Sequence, residues 1–168
     1  GSNSDYLGFL ANLDAGAPGW DQNLETAIVL GAGGASRAVL AALGARNIPR
    51  VVLLNRNPDR AQSLAAHFEA GVIPAPLTDF ARFAPGAGLV VNTSSVGMGG
   101  TRFENLDLDA LPSGAVVNDI VYTPLVTPLL ADAERLGLRS VDGLGMLIHQ
   151  AVPGFAAWFG VTPEVSPD

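Results

Sequence analysis

Six consecutive residues have the most definite chemical potential in this chain: Gly31-Ala32-Gly33-Gly34-Ala35-Ser36. They form the pattern G-x-G-x-x-S and follow directly on the short apolar run Thr26–Leu30. Glycine at Gly31 permits a tight turn, and glycine at Gly33 lets the backbone approach a pyrophosphate. Ser36, where Gly or Ala is usual, is small enough for a helix to pack closely on the strand. The first amides of that helix, around Gly34 and Ala35, would face the phosphates together with the positive end of the helix dipole. Glycines also cluster in purely structural turns. A strand before the loop and a helix after it supply the context that a dinucleotide site requires.

A second group lies about 20 residues further on, where an NAD site places Asp or Glu to bond the ribose 2′-hydroxyl. Here the residues are Asn55-Arg56-Asn57, with Arg60 one helical turn beyond. Two guanidiniums can hold a 2′-phosphate bidentately, and this favours NADP over NAD. The alternative is that both arginines are ordinary solvated surface residues. All nine basic residues are arginines and the chain contains no lysine. Lysine-based catalysis therefore cannot be carried by these residues.

Alternating short strands and helices must position these groups. A helix is predicted over Asp5–Leu13, with Asn3 or Ser4 available as its cap, and Gly16–Trp20 breaks the chain after it. Strands are predicted at Thr26–Leu30, Arg50–Leu54, Val72–Pro74, Gly88–Asn92, Ala115–Asp119 and Ser140–Asp142. Helices are predicted at Ala35–Leu43, Pro58–Phe68 (capped by Asn57), from Thr127-Pro128 to Leu136, and Gly143–Phe159. This order implies an α/β fold of Rossmann type, a doubly wound, mainly parallel sheet with helices on both faces. Ligands then belong outside the carboxyl ends of the strands. Phe155, Trp158 and Phe159 recur at helical spacing, and core packing is their ordinary explanation.

Five strings occur in order: G-A-G-G-A-S-R-A (31–38), N-R-N (55–57), N-T-S-S-V-G-M (92–98), D-I-V-Y-T-P-L-V-T-P-L-L (119–130) and G-L-G-M-L-I-H-Q-A (143–151). Together they resemble the C-terminal domain of the shikimate dehydrogenases, and the opening G-S-N-S-D is similar to that family's G-x-N-T-D segment. The resemblance implies reversible, NADP-dependent reduction of 3-dehydroshikimate to shikimate. It implies that Asp5 is catalytic, paired with a lysine from an N-terminal substrate domain that is absent here, so that this chain alone is expected to be inactive. It places Asn3, Tyr122 and Gln150 at the substrate. Gly31, Ala32, Gly33, Gly34 and Ala35 fall at the cofactor's phosphates, and Thr93 and Ser94 by the nicotinamide-side ribose. Gly143 and Met146 line the nicotinamide pocket, and Asn55, Arg56, Asn57 and Arg60 form the 2′-phosphate clamp. Asn57 stands where the family usually has threonine. Two rivals stay open: a quinate/shikimate dehydrogenase that uses NAD, and a non-catalytic dinucleotide-binding module.

Composition bounds the rest. The 168 residues suit a single domain, with 1–20 as an interdomain helix and linker and 143–168 as a terminal helix and tail. A hydrophobic fraction of 48% against 15% charged argues for an ordered globule. The net charge of −7 is unsuited to nucleic acid, which needs a positive face. No apolar stretch is long enough to span a bilayer and no signal peptide opens the chain, so cytoplasmic residence is expected. With two histidines and no cysteine, no metal site is expected.

Overall fold

The computed structural model describes residues 3–68, 71–161 and 163, without the side chains of 3, 153, 154, 156, 157 and 159. In chain order the main elements are α1 (Asn3–Gly16), β1 (Thr26–Leu30), α2 (Gly34–Ala45), β2 (Arg50–Asn55), α3 (Pro58–Ala65) and β3 (Val72–Pro76). There follow α4 (Phe80–Phe83), β4 (Leu89–Asn92), β5 (Val116–Asp119), α5 (Pro128–Arg135), β6 (Arg139–Val141) and α6 (Leu144–Phe159). All five strand pairings are parallel, in the order β3-β2-β1-β4-β5-β6. The order reverses between β1 and β4, which opens a crevice at their carboxyl ends.

The central strands β1, β2, β4 and β5 are largely apolar and buried on both faces. Ala27, Val29, Val51, Leu53, Leu89 and Val91 pack against α1, α2, α3 and Met146 of α6. Their neighbours Ile28, Leu30, Val52, Leu54 and Val90 face Phe80, Leu108 and α5. This two-residue alternation divides the apolar residues of the central strands between two cores. β3 lies at the sheet edge, where Pro74 and Pro76 need not donate to a further strand.

Helices α1 and α6 cross at glycines. A Cβ at Gly8 would lie 2.7 Å from the Met146 carbonyl oxygen and 3.0 Å from Gln150 Cβ; one at Gly145 would lie 2.0 Å from Asn12 Oδ1. Asn12 Nδ2 donates to the Asp142 carbonyl (2.7 Å), fastening α1 to the entry of α6. Phe9, Leu13, Ala17 and Trp20 are buried and join the core beside α2 and β1. Arg46 binds Asp14 and Asp21, at 2.5 Å each, and closes the turn after α1.

The elements differ from the sequence expectation mainly at their ends. α3 stops at Ala65 rather than Phe68, because His67 and Phe68 donate to Leu64 and Ala65 and tighten the last turn. The short α4 and the single helical turns on either side of it carry too weak a periodicity to stand out in the sequence. Trp158 is 85% exposed and Phe155 is exposed as well, where core packing is the ordinary expectation. Among the described residues of α6, Met146 joins the core; the side chain of Phe159 lies outside the described residues.

Candidate dinucleotide site

Gly31 leaves β1 with φ +101°, a conformation that favours glycine, and its amide donates to the Leu54 carbonyl (2.8 Å). A Cβ there would also press to 3.0 Å from Ser94 Cβ. Gly33 differs. Its backbone is extended (φ −102°, ψ −164°), and a Cβ added to it would meet no atom within 4 Å. The fold itself does not require glycine at this position. An open cradle of this kind suits a ligand that approaches the backbone from outside.

Ser36 does more than keep the helix close to the strand. Its hydroxyl donates to the Gly31 carbonyl (2.8 Å), accepts from the Gly33 amide (2.9 Å) and lies 2.8 Å from Thr93 Oγ1. Thr93 Oγ1 is in turn 2.8 Å from the Leu30 carbonyl oxygen. This buried polar knot ties the glycine loop to the end of β4. It engages the Thr93 side chain internally, so a ligand meets Thr93 through its surroundings rather than its hydroxyl.

The end of β2 is joined to the same loop. Asn55 Oδ1 accepts from the Ala32 amide (3.2 Å), and Asn55 Nδ2 donates to the Asn57 carbonyl (2.8 Å). Asn57 caps α3 by accepting from the Asp59 amide (3.0 Å). Arg56 and Arg60 therefore flank a fixed turn, both exposed, and neither forms an ion pair among the described residues. Each borders a cleft beside the glycine loop. A cleft of about 460 Å³ is lined by Gly33, Gly34, Arg37, Arg60, Ser63 and His67. Another of about 210 Å³ is lined by Gly31, Asn55, Arg56, Ser94, Val96 and Phe103. Asp59 also lines the larger cleft, a carboxylate beside Arg60 that the motif pattern gives no reason to count.

On the other side of the reversal point, polar residues end both β4 and β5. Asn92 Oδ1 accepts from the Ser94 amide (2.9 Å) and Ser94 Oγ (2.8 Å), while its Nδ2 donates to the Val96 carbonyl (2.7 Å) and to Asp119 Oδ1 (2.9 Å). Asp119 is fully buried and also accepts from the Val121 amide (3.0 Å) and the Thr127 hydroxyl (2.7 Å). Burial raises its carboxyl pKa above the ordinary value, against the lowering effect of the bonds from Thr127, Val121 and Asn92. Asn92, Asp119 and Thr127 are missing from the sequence-derived site. The available signal was a polar residue closing an otherwise apolar strand (L-V-V-N, V-V-N-D).

The remaining candidates are spread along α1, α6 and the loop after β5. Gly143 packs against backbone: a Cβ would stand 2.4 Å from the Ile120 carbonyl oxygen. Met146 is buried in the core, and Gln150 is half-buried where α6 meets Gly8. Asp5 is half-buried in the first turn of α1, one turn before Gly8. Tyr122 is exposed. The side chain of Asn3 lies outside the described residues. Among the described residues, no group of three or more His, Cys, Asp or Glu could hold a metal ion. No described helix is long and apolar enough to cross a membrane.

Comparison with known proteins places this geometry. The family model described as shikimate/quinate 5-dehydrogenase matches residues 18–145, and that of the shikimate 5′-dehydrogenase C-terminal domain matches 143–167. Shikimate dehydrogenases (NADP(+)) of Rhodopseudomonas palustris and Azorhizobium caulinodans are 55% and 56% identical over 167 and 165 residues. These matches cover 99% and 98% of this chain but 59% of each relative, so the chain spans about three fifths of their length. The quinate dehydrogenase of Corynebacterium glutamicum in complex with NAD superposes with a TM-score of 0.84 at 32% identity, over 98% of this chain and 59% of that one. The Thermus thermophilus shikimate 5-dehydrogenase in complex with NADP(H) and shikimate gives 0.80 at 36%, over 96% and 58%. With its glycine loop, its strand order and most of its length matched, this chain belongs to the shikimate/quinate 5-dehydrogenase family.

Proposed function

We propose that this chain is the NADP-binding part of a shikimate dehydrogenase, which reversibly reduces 3-dehydroshikimate to shikimate. The observation that carries the cofactor assignment is the turn after β2. Asn55 is bonded to the glycine loop, which sets Arg56 and Arg60 beside it with no internal ion pair among the described residues. Guanidiniums so placed suit a 2′-phosphate, and the open cradle at Gly33 with the first amides of α2 suits the pyrophosphate. The reduced nicotinamide supplies the hydride when bound. In this proposal Gly31 to Ala35 hold the phosphates, Asn55, Arg56, Asn57 and Arg60 the 2′-phosphate, and Ser94, Gly143 and Met146 border the nicotinamide, with Thr93 bracing the loop from beneath. Asp5 would share the substrate proton, with Asn3, Tyr122 and Gln150 at the substrate hydroxyls. The sequence contains no lysine, so a lysine partner for Asp5 has to come from residues outside it.

A second reading has a specific basis: a close structural relative is a quinate dehydrogenase in complex with NAD, and Asp59 lies beside Arg60. Calorimetric titration with NADP and with NAD separates the two. A preference for NADP of about tenfold, some 1.4 kcal/mol, lost in Arg56→Ala or Arg60→Ala, supports the first. Equal or tighter NAD binding supports the second.

A further inference from the structure

Asp119 is a fully buried carboxylate to which none of the functions above assigns a task. Among the described residues it forms no ion pair, and three donors reach it from three places: Asn92 at the end of β4, Val121 in the loop after β5, and Thr127 at the cap of α5. Asn92 then orients Ser94 and Val96, so one network spans both loops that leave the carboxyl ends of β4 and β5. Gly97 lies beside the network, where a Cβ would stand 3.4 Å from Asp119 Oδ2. A buried charge without a cation is costly, and a leucine or asparagine would fill the same space without that cost. In a doubly wound sheet the β1-β2-β3 half receives one mononucleotide, and the half beginning at β4 receives the other.

We propose that Asp119 is a positioning residue, its carboxylate fastening the loops after β4 and β5 into the arrangement that receives the second mononucleotide half of the cofactor. The inference rests on the dinucleotide reading above. Three charge-assisted bonds converging on one acceptor fix loop positions more firmly than neutral ones, and this is the advantage that offsets the desolvation.

The test compares NADP with adenosine 2′,5′-bisphosphate, a probe that occupies only the first half, by calorimetry on the chain as it stands. Asp119→Ala is expected to weaken NADP about tenfold or more while the bisphosphate stays within about twofold. Asp119→Asn, which keeps a neutral acceptor for Asn92 and Val121 but loses the charge and the acceptor for Thr127, should recover only part of the NADP affinity. If Asp119→Ala does not fold, Thr127→Val removes only one donor and should give the same split at about threefold. Parallel loss of both ligands would reduce Asp119 to a general structural role and overturn the proposal, as would unchanged binding of both. An unaltered chain that binds neither probe would overturn the dinucleotide reading itself, and this inference with it.

Discussion

Gly33→Ala is the sharpest probe of the proposed phosphate cradle, because the structure separates its effect on stability from its effect on binding. The backbone at Gly33 is extended, a conformation alanine adopts freely, and the added methyl would touch nothing within 4 Å. Losing glycine at a helix N-cap costs about 0.5 kcal/mol. Restricting the unfolded chain returns about 0.4–1 kcal/mol. The two nearly cancel, so the urea midpoint should hardly move. If a pyrophosphate packs on this backbone, however, the methyl occupies its space, and NADP affinity should fall at least about tenfold, or 1.4 kcal/mol. Gly143→Ala provides the contrast. Its methyl would meet the Ile120 carbonyl oxygen, a backbone atom, at 2.4 Å, and should destabilise the fold by about 1–3 kcal/mol. Urea unfolding and calorimetric titration of both variants give the comparison. A stable Gly33→Ala protein that binds NADP as tightly as the unaltered chain would refute the argument that this glycine exists for close ligand approach.

Three further outcomes are expected. Ser36→Ala removes the hydroxyl that serves Gly31, Gly33 and Thr93, and should cost about 1–3 kcal/mol in urea unfolding; a loss below about 0.5 kcal/mol would mean the knot is replaced by water. Arg60→Ala should reduce NADP affinity about tenfold and leave NAD within about twofold, read by calorimetry; equal losses for both would point to a pyrophosphate contact instead. The Asp119 carboxyl is raised by burial, so the folded chain holds its proton more firmly than the unfolded chain does. Its contribution to stability is therefore fully present below the ordinary carboxylate range and is lost as pH rises through the folded value. Unfolding free energies measured from pH 7 down to pH 4 should show the unaltered chain gaining relative to Asp119→Asn as pH falls; a constant difference would contradict the assignment.

Much of this site is local, and local chemistry is legible in a sequence. The glycine loop works through the backbone freedom of Gly31 and the lack of a side chain at Gly33, both properties of the residues themselves. The apolar runs at 26–30, 50–54, 89–92 and 116–119 announce strands covered on both faces, because only a parallel sheet between helix layers tolerates them. Asn57 followed by Pro58 marks the start of a helix by its own capping bond. The glycine loop, the strands and the turn after β2 follow from such signals.

What the tertiary structure alone decided are the meetings of residues far apart in sequence. Ser36 and Thr93 lie 57 positions apart and share one buried hydrogen-bond knot. Asn92, Asp119 and Thr127 converge only because β4 and β5 are neighbours in the sheet. Arg56 and Arg60, four residues apart, each border a cleft that also touches the glycine loop. The same distinction applies to Trp158: helical spacing marks an apolar stripe, but only the packed structure shows that Phe155 and Trp158 are exposed. A sequence encodes periodicity and conformational preference residue by residue, whereas burial and convergence depend on which surfaces the packed elements present to one another.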